Sequence, residues 1–286
     1  MAALICSTVA FCQDDLLKEL EQSEKSETDY AFQTFKGTRL VNGHSVETKP
    51  RGTLEFIFAH RFGPLAGKMY ELFGLDDAQV RLGLDYGITD NLSVSIGRNS
   101  FDKTMDGYVK YKLIRQSKGG RSFPVTVTAL LGMGNTPLYH PDLEPDNFEY
   151  IDRLSYVSQL LIARKFTPNF SFQIMPTLVH RNAVDLDEGK NDQAAIGVGG
   201  RIKLTKSVAL TSEYYYRINP VNYDRIKNPI GFGIDIETGG HVFQLVMTTT
   251  RELTERAFIT ETEGEFKDWN FQFGFNVTRT FQLKHK

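Results

Sequence analysis

The chain contains little cysteine, little tryptophan and no long hydrophobic run. Of its 286 residues only two are cysteine and one is tryptophan. No apolar stretch approaches the roughly 20 residues of a bilayer-spanning helix, which excludes a helical membrane protein. The chain has no large surplus of either charge, because its 33 Lys and Arg nearly balance its 35 Asp and Glu and leave a net charge of −2. Proteins that bind nucleic acids usually carry a clear basic surplus, so no nucleic-acid partner is expected.

The first twelve residues predict a signal peptide. The apolar run 2–11 is short and is followed at once by polar residues, as at the end of a signal peptide's hydrophobic region. Small residues at Ala10 and Cys12 favour cleavage before Gln13. No Lys or Arg precedes the apolar run, so we expect the natural start codon to lie upstream. The alternative, a lipoprotein modified at Cys12, is less favoured because Phe11 stands where that processing needs a small residue.

Both cysteines, Cys6 and Cys12, fall inside this predicted signal peptide. The mature chain would then contain none, which excludes disulfides and thiolate metal sites. A large exported chain without disulfides must be stabilised in another way. A closed, fully hydrogen-bonded barrel would do this.

From residue 52 onward the dominant pattern is an alternation with period two. In the segment 80–88, the apolar side chains Val, Leu, Leu, Tyr and Ile alternate with Arg, Gly, Asp and Gly. The segment 269–278 repeats the pattern with Trp, three Phe and Val. Such alternation is typical of a strand with one apolar and one wet face, and no helical pattern fits it.

Similar segments recur to a total of about twelve, an even number as single-chain bacterial barrels require. The predicted strands are 53–62, 80–88, 92–98, 106–114, 123–133, 154–165, 170–181, 194–204, 208–217, 230–237, 242–249 and 269–278.

The connections between these segments alternate in length. Short turns are predicted at 89–91, 116–122, 167–169, 205–207 and 238–240, and longer loops at 63–79, 99–105, 134–153, 182–193, 218–229 and 250–268. Short periplasmic turns and long outer loops are typical of outer-membrane barrels, whereas a soluble sandwich has no reason to keep this order. We therefore predict an all-β, antiparallel up-and-down barrel at residues 52–286, embedded in outer-membrane lipid with both termini in the periplasm.

Three segments are harder to assign. Pro176 lies inside a predicted strand and cannot donate to a ladder, which favours a β-bulge there, with an error of register as the alternative. The faces of the segment 154–165 are mixed, so its lumen side is not predicted. Before the barrel, residues 13–51 carry an Asn42-Gly43 turn signal between short β-like pieces. They are predicted to form a periplasmic segment or a plug, with a flexible tail as the alternative.

The chain resembles an uncharacterised family of outer-membrane β-barrels from Bacteroidetes, catalogued as a domain of unknown function. The residues that carry the resemblance are 35–47, Arg81 to Asp90, Met175 to Asn182, Glu213 to Arg217 and Asp235 to Leu245. These segments span nearly the whole mature chain. The resemblance implies an outer-membrane location and a barrel; it implies no catalytic or ligand-binding residue.

Charged side chains are predicted to line the lumen, because an Arg or Lys facing lipid at the midplane costs roughly 2–4 kcal/mol. The set is Arg81, Asp85, Lys110, Lys112, Arg201, Lys203, Glu213, Arg217, Asp235 and Glu237, together with Glu55. The favoured interpretation is that these groups pair across a narrow lumen and lock it. The alternative is a solute path in which Lys110, Lys112, Arg201 and Lys203 favour anions.

No enzyme, metal site or cofactor is predicted. The histidines lack metal-ligand spacing, and none has a serine placed as a catalytic site on a barrel strand would need. The acidic residues 185–192 could bind Ca²⁺, but a solvated loop is favoured.

Two functions remain open. The first is a narrow outer-membrane channel or transporter for small solutes, with a possible preference for anions. The second is a closed structural or docking barrel that binds a partner through its loops or its N-terminal segment. A soluble all-β protein is a third, less favoured interpretation, and the protein partner and oligomeric state are not predicted.

Overall fold

The computed structural model describes residues 27–64, 78–138, 148–184, 190–220 and 225–283. This part of the chain contains fourteen strands. They are β1 (Thr28–Tyr30), β2 (Thr53–Arg61), β3 (Gln79–Gly87), β4 (Leu92–Asn99), β5 (Met105–Ile114), β6 (Ser117–Gly119), β7 (Thr126–Asn135), β8 (Leu154–Lys165), β9 (Phe170–Arg181), β10 (Asp192–Lys203), β11 (Val208–Arg217), β12 (Ile230–Thr238), β13 (His241–Thr248) and β14 (Gln272–Gln282).

The helical content of the described residues is small. One short α-helix, α1 (Glu255–Thr260), and the 3₁₀ turns Phe101–Lys103, Tyr150–Arg153 and Phe266–Asp268 lie between strands. None of the helices in these ranges is long and apolar enough to cross a membrane. The predicted signal peptide and most of the acidic loop 185–192 lie outside the described residues.

Twelve strands form one closed antiparallel barrel, which confirms the predicted architecture and strand count. All strands except β1 and β6 belong to it, and each pairs with the next along the chain, β5 being followed by β7. The barrel closes between β14 and β2, with Gly274 opposite Arg61 and Gln282 opposite Thr53. Closure leaves no unpaired sheet edge, so every backbone group of the wall can bond within the sheet.

The alternation in sequence becomes an alternation of faces. On β9, Ile174 and Leu178 point outward and are 41% and 61% exposed, whereas Gln173, Met175 and Thr177 between and beside them are buried inside. An apolar exterior around a polar interior is the arrangement that lipid requires. On β8, whose lumen side the sequence leaves open, the buried inner residues are Ser155, Val157, Gln159, Leu161 and Ala163.

The predicted β-bulge at Pro176 is wrong. β8 and β9 keep one register on both sides of the proline, with Gln159 opposite Thr177 and Ile162 opposite Ile174. Only the local pairing lapses, because the ring has no N–H to donate. A register shift lies instead in β5, between Lys112 and Ile114, where it faces β7.

The predicted short turn 116–122 is also wrong. The connection from β5 to β7 contains β6, which pairs with β1 outside the barrel, Tyr30 opposite Ser117. The Lys165 ammonium donates to the Phe32 carbonyl oxygen at 2.8 Å and holds the next part of the chain. Residues 27–33 are thus fastened beside the short turns, at what we call the turn end of the barrel. The opposite end is called the loop end.

Introducing a charged residue on the outer face tests whether that face contacts lipid. Leu131, in the middle of β7, is 64% exposed, so Leu131→Arg should destabilise the barrel by about 2–4 kcal/mol in a bilayer. Urea-induced unfolding in lipid vesicles measures this. Asn91→Arg, in an exposed short turn, serves as the control and should cost little. Equal losses for the two variants would contradict the assignment of the lipid-facing surface.

Candidate functional site: the filled barrel interior

Residues 34–50 lie inside the barrel and are called the inner hairpin. Leu40, His44 and Val46 are at most 1% exposed. The Leu40 N–H donates to the Gly43 carbonyl at 2.8 Å, and the Ser45 N–H donates to the Thr38 carbonyl at 3.0 Å, which closes a tight hairpin. Both legs of this hairpin meet the barrel at the turn end, where β2 begins beside the 88–91 turn.

Glycine is required at the tip by a close approach. A Cβ atom on Gly43 would lie 2.0 Å from the Tyr215 hydroxyl, and one on Gly199 of the wall would lie 2.5 Å from the Leu40 side chain. The Asn42-Gly43 pair that signals a turn in the sequence is therefore also the pair that fits against the wall. Gly199 of β10 therefore makes room for the hairpin.

Glu213 of β11 holds the tip of the hairpin. Its carboxylate accepts the backbone N–H of Asn42 at 2.7 Å, of Gly43 at 3.0 Å and of Val41 at 3.1 Å. Three successive backbone donors around one carboxylate form a charge-assisted set, and such bonds are about twice as strong as neutral ones. The Glu213 carboxylate of the wall carries the formal charge in this contact, and the hairpin contributes only backbone N–H groups.

Lys110 of β5 makes the opposite contact with hairpin carbonyls. Its ammonium donates to the Thr38 oxygen at 2.8 Å and to the Ser45 oxygen at 3.0 Å. On β9 the Gln173 side chain accepts the Val46 N–H at 2.8 Å and donates to the His44 carbonyl of the hairpin. An acid, a base and an amide of the wall therefore satisfy donors and acceptors that a buried hairpin would otherwise leave unpaired.

A polar network surrounds the Asn42 side chain. Arg61 donates to the Asn42 Oδ1 at 2.7 Å and to the Asn276 Oδ1 at 2.9 Å, and Asn276 donates in turn to the Val41 carbonyl at 3.0 Å. Gln244 donates to the Leu40 carbonyl of the hairpin at 2.7 Å. Strands β2, β13 and β14 thus bind the hairpin from a side that Glu213, Lys110 and Gln173 do not reach.

A second segment enters the barrel from the loop end. Residues 249–262, called the inner loop, include α1 and are almost entirely buried. The Phe258 ring lies 5.0 Å from the Tyr215 ring, and α1 packs against β8 and β9. Phe258 and Ile259 share one apolar cluster with Leu40 and Val46 of the inner hairpin.

The two inserted segments meet at Glu255. One of its carboxylate oxygens lies 3.3 Å from the His44 Nε2 and 3.4 Å from an Arg39 guanidinium nitrogen. Burial raises the pKa of Glu255, and the nearby Arg39 charge opposes that rise. Burial also lowers the pKa of His44 well below its usual value, and the Arg39, Lys110 and Arg81 charges lower it further. The His44 ring is therefore neutral at neutral pH.

Most charged residues predicted for the lumen are buried and have partners. Asp85 accepts from the Tyr108 hydroxyl at 2.5 Å, Arg81 pairs with Asp106 at 2.5 Å, and Arg201 pairs with Asp235 at 3.2 Å and also with Glu237. Three more contacts complete the set: Lys112 to Glu47 at 3.6 Å, Glu55 to Lys49 at 2.5 Å, and Arg217 to the Ile226 carbonyl at 2.9 Å. Lys203 is half-buried near the turn end.

Two small cavities lie between the inserted segments and the wall in the described part of the chain. A cavity of about 50 Å³ lies between the hairpin and strands β2, β3, β13 and β14, and another of about 30 Å³ lies beside His44 and α1. Ligand pockets usually measure about 300–1,000 Å³, so each of these cavities has room for only a few water molecules. Within the described ranges, no group of three acidic or histidine side chains could hold a metal ion.

The neutral residues and the loop residues of this site were not among those predicted from the sequence. Gln173, Gln244 and Asn276 occupy inward positions of their strands, so their amides were predictable as lumen-facing although their partners were not. His44 and Glu255 lie outside the wall strands, where period two carries no information. Their meeting depends on two insertions from opposite ends of the barrel.

A closed twelve-strand barrel with an apolar outer surface and a charged, filled interior is an integral β-barrel of an outer membrane. The family model described as "Membrane bound beta barrel domain (DUF5777)" matches residues 35–281. The chain belongs to this family, and the match begins inside the inner hairpin. An origin in Bacteroidetes stays a prediction.

Solved outer-membrane structures are similar to this chain at low identity. The NanC porin is 10% identical, with 81% of this chain and 100% of that chain covered and a TM-score of 0.49. The KdgM porin is 7% identical, with 80% and 99% covered and a TM-score of 0.45. The COG4313 outer membrane channel from Pseudomonas putida F1 is 13% identical, with 82% and 98% covered and a TM-score of 0.47. No curated protein shows significant sequence similarity to the chain.

Glu213→Gln should loosen the inner hairpin without breaking the wall. The amide would turn N–H groups toward the backbone donors that the carboxylate accepts, and hydrogen bonds to charged groups are worth about 1.5–3 kcal/mol. Trypsin cleavage after Arg39, whose side chain is 11% exposed, should accelerate at least about tenfold, because proteolysis follows the population of the open form.

Gln159→Ala is the matched control for this measurement. Gln159 is a buried inner-face residue that bonds to Thr177 of the neighbouring strand at 2.8 Å. Its loss should leave cleavage after Arg39 near the wild-type rate. Equal acceleration in both variants would show that Glu213 has no special hold on the hairpin.

His44 should make the barrel less stable in mild acid. Because its pKa is lowered in the folded state, the unfolded chain binds the proton first, near pH 6.5. The stability that neutral His44 contributes is present above that pH and is lost as the pH falls toward its lower folded pKa, by at most about 1.4 kcal/mol per pH unit.

Urea-unfolding midpoints at pH 7 and pH 5 measure this loss. His44→Gln should reduce the difference between the two midpoints relative to wild type. The raised pKa of buried Glu255 and Glu252 acts in the opposite direction in both proteins, so only the comparison between variants isolates His44. An unchanged difference would contradict the assignment.

Proposed function

We propose that this protein is a gated outer-membrane passage for small polar solutes, and that the described conformation is its closed state. The observation that carries the proposal is the manner in which the lumen is filled. The inner hairpin enters and leaves at the turn end, so it can withdraw without breaking a barrel strand. The inner loop likewise enters and leaves at the loop end, so it can also withdraw without breaking a barrel strand.

The contacts of the hairpin suit a reversible closure. It is held by hydrogen bonds to the wall residues Glu213, Lys110, Gln173 and Gln244. Water can replace such bonds when it enters, so their net worth is about 0.5–1.5 kcal/mol for each neutral pair and about 1.5–3 kcal/mol for each bond to a charged group. An apolar cluster that includes Leu40 and Val46 favours the closed position. Polar bonds that water can replace, together with apolar packing, support a segment that can move as a unit.

Withdrawal of the hairpin would change the charge of the wall. Lys110 and Lys112 would lose their hairpin partners, whereas Arg201 would keep Asp235 and Glu237. Glu213 and Glu55 would be released as well, so the open lumen would carry both signs. A preference for anions, as the lysines of β5 favour, is part of this proposal and depends on where these charges lie along the path.

The second candidate is a closed barrel that binds a partner. The fastening of residues 27–33 to β6 at the turn end favours it, because a strand pair outside the wall offers a surface that conduction does not need. A catalytic role is not proposed for either candidate, since the buried acids and bases named above are engaged with the hairpin, the inner loop or each other.

Single-channel recording in a planar bilayer separates the two candidates. The purified, heat-modifiable wild-type protein should show rare conductance steps, and a Glu213→Gln, Lys110→Met variant should open at least about tenfold more often, because it loses two charge-assisted attachments. Gln159→Ala is again the control. Absence of steps from both folded proteins would overturn the channel proposal and favour the closed barrel.

Ion selectivity tests the predicted lysine path. If steps appear, Lys110→Glu with Lys112→Glu should shift the reversal potential toward cations in a salt gradient. An unchanged reversal potential would remove both residues from the path.

A further inference from the structure

The two segments that fill the barrel converge on one buried carboxylate. Glu255, on α1 of the inner loop, is 7% exposed and contacts Arg39 and His44 of the inner hairpin. In the described part of the chain these are the side chains within ion-pair distance of its carboxylate, and Arg39 is the one that carries a charge. A buried carboxylate is costly unless it is paired, so the position of Glu255 depends on the hairpin.

The dependence also runs from the inner loop to the hairpin. Arg39 pairs with Glu255, and its guanidinium otherwise bonds to the Asn42 carbonyl of its own hairpin at 2.6 Å. Leu40 and Val46 share an apolar cluster with Phe258 and Ile259. Departure of the inner loop would therefore leave a half-buried arginine without its acid and would open apolar surface on the hairpin to water.

We propose that Glu255 couples the inner hairpin to the inner loop, so that the closures at the two ends of the barrel loosen together. Each inserted segment supplies partners that the other requires, and the wall strands do not need to move. The coupling goes beyond solute passage and would hold in a barrel that conducts nothing. Coupling of this kind is reciprocal, because loosening either segment must weaken the other by the same factor.

Chemical labelling of single cysteines measures each segment separately. Ser45→Cys reports on the inner hairpin and Ala257→Cys on the inner loop, and both positions are 0% exposed in the closed state. Cys6 and Cys12 are replaced by serine in the full chain, so that the reporter is its sole thiol. The probe is a small methanethiosulfonate reagent applied to folded protein in lipid vesicles.

Two variants each remove a wall contact of one segment only. Glu213→Gln acts on the hairpin tip, and Arg181→Gln removes a wall residue that pairs with Glu261 of the inner loop at 3.1 Å. With coupling, Glu213→Gln accelerates labelling at Ala257→Cys, and Arg181→Gln accelerates labelling at Ser45→Cys, each about fivefold or more. Gln159→Ala should change neither rate.

Removing the junction should weaken both cross-effects strongly, although the apolar contact between the segments remains. In a Glu255→Gln background, Glu213→Gln should still accelerate labelling at Ser45→Cys but much less at Ala257→Cys. If Glu255→Gln does not fold, Arg39→Gln with His44→Gln removes the same contacts from the hairpin side and carries the same expectation. The proposal is overturned if either cross-effect is absent with Glu255 present, or if both are undiminished without it.

Discussion

The structure depends on one constraint: the charged inner face of a twelve-strand wall meets neither lipid nor open water, so it must find partners inside. The backbone of the inner hairpin supplies them. Glu213 accepts three successive N–H groups of its tip, and Lys110 donates to carbonyls of its two legs. A hairpin buried in a barrel has the complementary need, because its own donors and acceptors are removed from water. Each therefore stabilises the other.

The barrel was predictable from the sequence because its signal is local. Period two separates a lipid-facing from an inward-facing side chain residue by residue, and it gave β8, β9 and β11 with their bounds. The bulge expected at Pro176 does not form, because a missing N–H interrupts one pair without shifting the register. The strand β6 within the 116–122 connection was not predictable, because its three residues are too few to show a period and their partner β1 lies far away in sequence.

The interior was only partly predictable. Inward placement of Glu213 and Lys110 follows from strand parity, but their partners are backbone atoms of a segment with no strand period of its own. Asn42-Gly43 indicated a turn and could not indicate that the turn lies inside the wall. The contact of His44 with Glu255 joins segments more than 200 residues apart and depends on insertion from both ends. No pattern within either segment carries that information.

The inner hairpin is the central element of this account, because its backbone supplies the partners of Glu213 and Lys110. Amide hydrogen exchange of the folded protein in lipid tests its placement most directly. We expect the amides of residues 41–46 to exchange as slowly as those of the neighbouring wall strands, and Glu213→Gln to speed exchange in the hairpin and, through Glu255, in the inner loop, but not in the wall strands. Exchange at the rate of an unfolded peptide in the wild-type protein would contradict the account, because it would mean that the hairpin lies outside the barrel.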